Sequence, residues 1–273
     1  MRLVEEQIGK APAEFAIYAR NSDCDVVIGG THMVFIPGYG AAFVTDLDNG
    51  RREGTLKDFE NFVKLTDASP YQDVCSGMVI EPTDAPHEIR HALAIYTAIK
   101  NSPKPFMGSA MGVQGAKDSI QMASILFGSK DELSRKPRMI SILCSLTPLA
   151  YDERMLGAIM EYARAGQPLL ISSLGIAGAT SPVTLAGTLA VQNAEVLAGI
   201  ILTQLIREGT PVVYAGASTG ADMQTGVLSS GSPEMAINTA ATAQMARFYG
   251  LPVRSGGASA MPNTRMPRLP MSP

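Results

Sequence analysis

The feature of this sequence that most restricts its fold is an alternation. From residue 74 to 257, apolar β-rich runs and helical segments follow one another at regular intervals. Runs at 74–80, 105–110, 138–145, 168–174, 211–215 and 251–254 read as strands, and segments at about 86–101, 115–128, 151–165, 184–208 and 233–249 read as helices. Each helix carries its own punctuation: Asp84-Ala-Pro86 precedes the first, Gly166 and Gly209 follow the third and fourth, and Ser232-Pro-Glu234 opens the fifth. Strands separated by helices run parallel, because only a crossover returns the chain to the same end of a sheet.

Two parallel architectures compete, a doubly wound sheet and a barrel. A dinucleotide-binding sheet requires a glycine-rich first turn, but the run ending at residue 80 is followed by Glu81-Pro-Thr-Asp84. A barrel places small and polar residues at the carboxyl end of strand after strand. Here Gly108-Ser-Ala110, Ser145-Leu-Thr147, Ser172-Ser173, Gly216-Ala-Ser218 and Ser255-Gly-Gly257 do so. The expected fold is α/β, an incomplete (β/α)8 TIM-type barrel, since six strands and five helices fall short of eight units.

Residues 1–70 have a different grammar. Residues 1–20 read as a helix, and short apolar runs at 26–28, 33–36 and 42–44, separated by Gly29-Gly30 and Pro37-Gly-Tyr-Gly40, read as a small antiparallel meander. Thr55 with Asp58 three residues on fits a capping arrangement for a helix over about 55–67. The organisation is thus 1–70 for helix, meander and helix, 71–257 for the partial barrel, and 258–273 for an irregular tail.

Composition excludes several functions. With 22 Lys+Arg against 25 Asp+Glu, the charge of -3 supplies no excess for gripping nucleic acid. The apolar stretch at 196–206 is interrupted by Gly199, Thr203 and Gln204, short of the roughly 18–20 residues of a membrane span, so no membrane partner is expected. Met1 leads into Glu5 and Glu6 with no apolar signal core, which reads as cytoplasmic. Cys24, Cys75 and Cys144 are odd in number and far apart, the pattern of free buried thiols.

Several segments, in order, resemble the trimethylamine:corrinoid methyltransferase family, which includes relatives acting on quaternary amines such as glycine betaine. They are Val27-Ile-Gly-Gly30, the Asp46-x-x-x-Gly50-Arg-Arg52 turn, the run from Ala177 through Ser181-Pro-Val-Thr184 to Gly187, Gln192-Asn-Ala-Glu195 with Leu197-Ala-Gly199, Gly209-Thr-Pro-Val212 and Gly231-Ser-Pro-Glu234. The resemblance implies a methyltransferase that passes a methyl group from a small tertiary or quaternary amine to the cobalt of a corrinoid protein. The corrinoid would be carried by that partner and not bound directly. Some family members handle trimethylamine with pyrrolysine, and none stands among these letters. Family members continue past the Gly-Gly with a stretch resembling S-D-A-K-x-x-D-A-Q-A-x-Y-E. Back-translating residues 260–273 with suitable synonymous codons and reading from the third base gives D-A-K-H-A-D-A-Q-A-A-Y-E-S, so the tail is expected to be out of frame.

Under this reading no catalytic residue is assigned, because the nucleophile belongs to the partner's cobalt and the protein orients the substrate. The substrate-binding candidates are the strand-end hydroxyls Ser145, Thr147, Ser172, Ser173 and Ser218, with Gly178 in the small-residue loop at 175–182 and Glu234 at the start of the last helix. Turns and caps account for the same residues without any substrate: Thr180 or Ser181 fits an N-cap, as does Ser232. Gln192, Asn193 and Glu195 lie in an otherwise apolar helix, where polar groups demand partners. His87-Glu-Ile-Arg-His91 matches the H-E-x-x-H spacing of zinc peptidases, but an exposed helix face is the expectation for it and no metal is assigned. A second reading of the whole chain is a non-catalytic remnant that at most docks a corrinoid protein. Open strand edges at 74–80 and 251–254 would favour association, and a homo-oligomer is expected.

Overall fold

Proline at position 12 cannot donate a backbone hydrogen bond, and the opening helix stops before it. In the computed structural model, which describes residues 2–255 apart from 76, 225 and 227, α1 spans only Arg2–Ile8. β1 (Glu14–Ile17) then pairs antiparallel with β2 (Val26–Gly29), so the helix expected over 1–20 is corrected to a helix and a strand. The three-stranded meander is corrected as well. β3 (Phe43–Asp46) and β4 (Gly50–Glu53) form a separate hairpin, and 33–36 joins neither ladder. α2 (Leu56–Ala68) begins at the expected capping box: the Thr55 side chain accepts from the Asp58 backbone and the Asp58 carboxylate accepts from the Thr55 N–H.

The remaining elements are α3 (Arg90–Asn101), β5 (Phe106–Met107), α4 (Gly112–Phe127), α5 (Lys130–Arg135), β6 (Met139–Cys144), α6 (Glu153–Arg164), β7 (Leu169–Ser173), β8 (Ile176–Ala177), α7 (Leu185–Ile206), β9 (Val212–Gly216), β10 (Thr219–Gly220), α8 (Pro233–Phe248) and β11 (Val253–Ser255). Five strands form one parallel sheet in the order β11-β9-β7-β6-β5, curled into a half-barrel with helices on its convex side. β8 and β10 form a short parallel pair of their own beyond the carboxyl ends of β7 and β9.

The strand expected at 74–80 is reduced to two bridges, Cys75 with Phe106 and Ile80 with Ala41. Gly77 interrupts the ladder where it approaches β5, so closely that a Cβ there would stand 2.6 Å from the Met107 carbonyl oxygen. The expectation that its outer edge is open is also corrected. Residues 35–41 run beside it: the Asp73 N–H donates to the Phe35 carbonyl at 3.0 Å, Gly40 to Met78 at 2.7 Å and Glu81 to Ala41 at 2.7 Å. At the other end, among the described residues, β11 pairs with β9 alone.

Side chains alternate between two buried layers. Met107, Ile140, Leu170 and Val213 face the concave side, where Ile17, Val26 and Ile28 of the first hairpin cover them. That hairpin is fastened to the amino ends of the strands, with Tyr18 donating to the Pro137 carbonyl at 2.8 Å and Arg20 to that of Pro103 at 3.0 Å. Met139, Leu143, Ile171 and Tyr214 face the helices and meet Ile159, Tyr162, Val196 and Ile200. Burying each such side chain contributes about 1.5–3 kcal/mol.

α7 is long and apolar enough, by length and composition, to cross a membrane, although Gly199, Thr203 and Gln204 were expected to interrupt it. Here it lies on the sheet instead. A Cβ on Gly199 would stand 2.6 Å from the Tyr151 Oη and 2.7 Å from the Ile171 Cγ2, so glycine permits the approach. Residues 258–273, expected to form an irregular tail, lie with Gly256 and Gly257 outside the described residues.

Candidate functional site

Strand register assembles the site. Cys144 stands beside Ser172, Ser172 beside Ala215, and Ala215 beside Arg254, one row across four parallel strands at their carboxyl ends. Two residues earlier the same face carries Ile142, Leu170 and Val213, so the concave side changes there from aliphatic to small and polar. Ser172 and Ala215 are small and buried at this level, directly above the aliphatic floor. Arg254 is half-buried, and among the described residues no carboxylate pairs with it.

The electrostatics of this row follow from burial. Burial pushes the Cys144 thiol up, and the nearby Arg254 charge pulls it down without cancelling the rise, so Cys144 is a neutral thiol at pH 7. Burial lowers the Arg254 guanidinium, opposed by the Cys144 sulfur, and a guanidinium remains charged throughout. Tyr39, from the segment beside 74–80, packs against both apolar layers. Burial raises its hydroxyl, against a hydrogen bond with the Ala110 backbone. An aromatic ring, small residues, a neutral thiol and a cation thus meet over an apolar floor.

A second cluster lies on the helix side of the same strand ends. The Glu195 carboxylate, on α7 and 2% exposed, accepts hydrogen bonds from the hydroxyls of Ser145, Thr147 (2.9 Å) and Ser173 (2.7 Å) and from the Leu149 N–H (2.7 Å). Burial alone would raise this carboxyl, but the donors outweigh it and hold it below the ordinary value. One helical turn away, Gln192 donates to the Thr242 hydroxyl at 2.9 Å, and Asn193 links the hydroxyls of Tyr214 and Tyr249. Glu195 and Asn193 thus have the neighbouring partners that burial requires, whereas Gln192 is matched only through its amide nitrogen and its buried Oε1 accepts no hydrogen bond among the described residues.

The structure thus divides the residues read from the sequence. Ser172 lies in the concave row, whereas Ser145, Thr147 and Ser173 turn to Glu195. The Ser218 hydroxyl accepts from the Gly175 N–H at 2.9 Å and its carbonyl from Asn238 at 2.6 Å, tying the β9 end to the loop at 175–182. Gly178 occupies a positive φ of 81° in that loop and donates to the Ser181 carbonyl. Glu234 is exposed in the first turn of α8, whose N-cap is Ser232 as expected. The histidine pair is separated: the helix begins at Arg90, leaving His87 and Glu88 exposed in a turn, while buried His91 meets Asp118 at 2.8 Å. An exposed helix face for all three is corrected accordingly. Cys24 and Cys144 are free thiols, both half-buried rather than fully buried as expected, and burial pushes the Cys75 thiol up to about 12.

Sequence reasoning passes over Cys144, Arg254 and Tyr39. The first two were legible as strand-end residues two places beyond an inward aliphatic position, but Tyr39 stands in a turn sequence with no strand period.

The profile of the family described as Trimethylamine methyltransferase (MTTB) matches residues 1–265. The chain is 56% identical over 254 residues to a glycine betaine methyltransferase of Desulfitobacterium hafniense, covering 93% of this chain and 53% of that protein. It is 34% identical to the trimethylamine methyltransferase MttB of Desulfitobacterium hafniense, over 92% of this chain and 50% of that one. It is 30% identical to the proline betaine:corrinoid methyltransferase of Eubacterium limosum, over 93% and 54%. The chain spans about half the length of the curated relatives it matches.

Proposed function

The chain belongs to the trimethylamine methyltransferase (MTTB) family, and from that premise we propose that it moves a methyl group from a tertiary or quaternary methylated amine to the cobalt of a corrinoid held by a separate protein. The observation that carries this reading is the 56% identity to a glycine betaine methyltransferase across 93% of the chain. The acceptor is inferred from the printed name of the proline betaine relative. The curled parallel sheet is read as six units of an eight-stranded (β/α)8 barrel, 71–257, with its site at the carboxyl ends of the strands.

A corrinoid carried by the partner would supply the nucleophile for the methyl carbon, and the amine would leave with the electron pair of the broken N–C bond. The chain's own residues have three tasks. The floor of Ile142, Leu170 and Val213 excludes water from a bound alkylammonium. The ring of Tyr39 offers a π-face to its positive charge. Ser172 and Ala215, too small to block the row, let the methyl group point outward to an approaching partner.

The residues present fit such a partner. The row lies at an open strand end, and the adjoining loops carry exposed Leu146, Leu149, Leu174 and Val183, an apolar rim suited to docking. A neutral Cys144 does not compete for the methyl group as a thiolate would. The test is to mix purified chain with a reduced corrinoid protein and a panel of methylated amines and follow the cobalt absorption. Loss of the reduced-cobalt band, dependent on both chain and amine, is expected. A folded sample inactive with every tertiary and quaternary amine would leave only a remnant that docks the partner.

A further inference from the structure

We propose that Arg254 is the specificity residue of this site and that it selects a zwitterionic betaine by pairing with its carboxylate. The assignment rests on the methyl-transfer reading above and names its substrate class.

Arg254 pairs in register with Ala215, which faces the concave side, so the arginine projects over the same floor. Ala215 and Ser172 separate it from Cys144, and both are short enough for a long side chain to extend above them. A buried or half-buried cation is ordinarily matched by an anion, because leaving water costs several kcal/mol. Here the described residues give Arg254 no ion pair, and the Cys144 thiol that shares its row stays neutral. Among the described residues the row is therefore short of one negative charge. A trimethylamine molecule would bring no anion, whereas a trimethylammonium group with a carboxylate one carbon away supplies it. Arg254 offers a planar fork that a carboxylate matches with two hydrogen bonds. The apolar floor and Tyr39 would then receive the methylated end.

The probe pair is glycine betaine and tetramethylammonium, which differ by one carboxylate. Binding of each to the purified 273-residue chain is measured by calorimetry or ligand-detected NMR, for the wild type, Arg254→Gln and Arg254→Lys, with near-ultraviolet circular dichroism confirming that each is folded. The wild type should bind glycine betaine at least roughly tenfold more tightly than tetramethylammonium, in keeping with a charge-assisted pair. Arg254→Gln should remove that preference by weakening glycine betaine, with tetramethylammonium bound no more weakly because a nearby like charge is gone, and Arg254→Lys should keep part of it. A folded wild type that binds the two cations alike or binds neither, or a glutamine variant that keeps the preference, overturns the assignment. The two readings fail separately. Cobalt methylation from amines with no carboxylate preference removes Arg254's role and leaves the activity, whereas Arg254-dependent betaine binding without methylation does the reverse.

Discussion

The Leu149 N–H donates to the Glu195 carboxylate at 2.7 Å from a backbone in the left-handed region, at a φ of 54°. A leucine rarely adopts that conformation, and the buried carboxylate on α7 is what holds it. Through Ser145 and Thr147 the same carboxylate fixes the rest of the loop that leaves β6, and through Ser173 the end of β7. Glu195 thus shapes the rim of the concave row without facing it.

Glu195→Ala should destabilise the protein by about 3 kcal/mol or more, because it leaves several donors without an acceptor, each costing about 1–3 kcal/mol. Glu195→Gln, which keeps one acceptor oxygen, should cost less. Urea unfolding of the three proteins measures this, and equal costs for Ala and Gln would refute the donor count.

The pH dependence has a definite sign. The folded carboxyl of Glu195 lies below its ordinary value, despite burial, because of its donors. The unfolded chain therefore binds more protons in that window, and stability rises with pH there. The Glu195 contribution is complete above the unfolded value of about 4.3 and disappears as pH falls through the lower folded one. The difference in urea midpoint between wild type and Glu195→Gln should shrink as pH is lowered from 6 toward 3, and a constant difference would contradict it.

Gly199→Ala should push α7 off the sheet, since the new Cβ would stand 2.6 Å from the Tyr151 hydroxyl and 2.7 Å from Ile171. A cost of about 1–3 kcal/mol is expected from overpacking, read as a lower thermal midpoint. A neutral or stabilising alanine would mean that α7 does not approach so closely.

Arg254 and Cys144 should be coupled. Removing the guanidinium takes away the charge that lowers the Cys144 thiol, so Arg254→Gln should slow alkylation of Cys144 in the folded protein. Peptide mapping after timed exposure to iodoacetamide reads the rate at Cys144 alone, and an unchanged or faster rate would separate the two residues.

The half-barrel is legible in the sequence because its signals are local. The runs at 138–145, 168–174 and 211–215 are bounded by Gly and Pro, and Ser232 caps its helix as read, although the cap of α7 is Thr184 and not Thr180 or Ser181. The N-terminal hairpin is not, because Glu14–Ile17 is a strand only through its pairing with Val26–Gly29 and its place over the concave floor. Helix period and strand alternation are indistinguishable over so few residues. The site divides the same way. Strand-end hydroxyls can be picked out, but whether Ser172 or Ser173 faces the concave side depends on register, which one residue of slip would reverse. The claim of Glu195 on three of those hydroxyls depends on a helix passing behind the strands, which no spacing in the chain reveals.

The central claim, methyl transfer at the concave row, is tested most directly by filling that row. Ser172→Phe places a ring where the amine would bind, and the Ser172 side chain is not among the groups that donate to Glu195. Cobalt absorption is followed with glycine betaine, reduced corrinoid protein and either wild-type or variant chain, both verified as folded. The account predicts loss of the reduced-cobalt band with the wild type, formation of the amine one methyl shorter, and at least roughly a hundredfold slower reaction with Ser172→Phe. A folded Ser172→Phe protein that transfers methyl groups at the wild-type rate, or a folded wild type that transfers none, would contradict it.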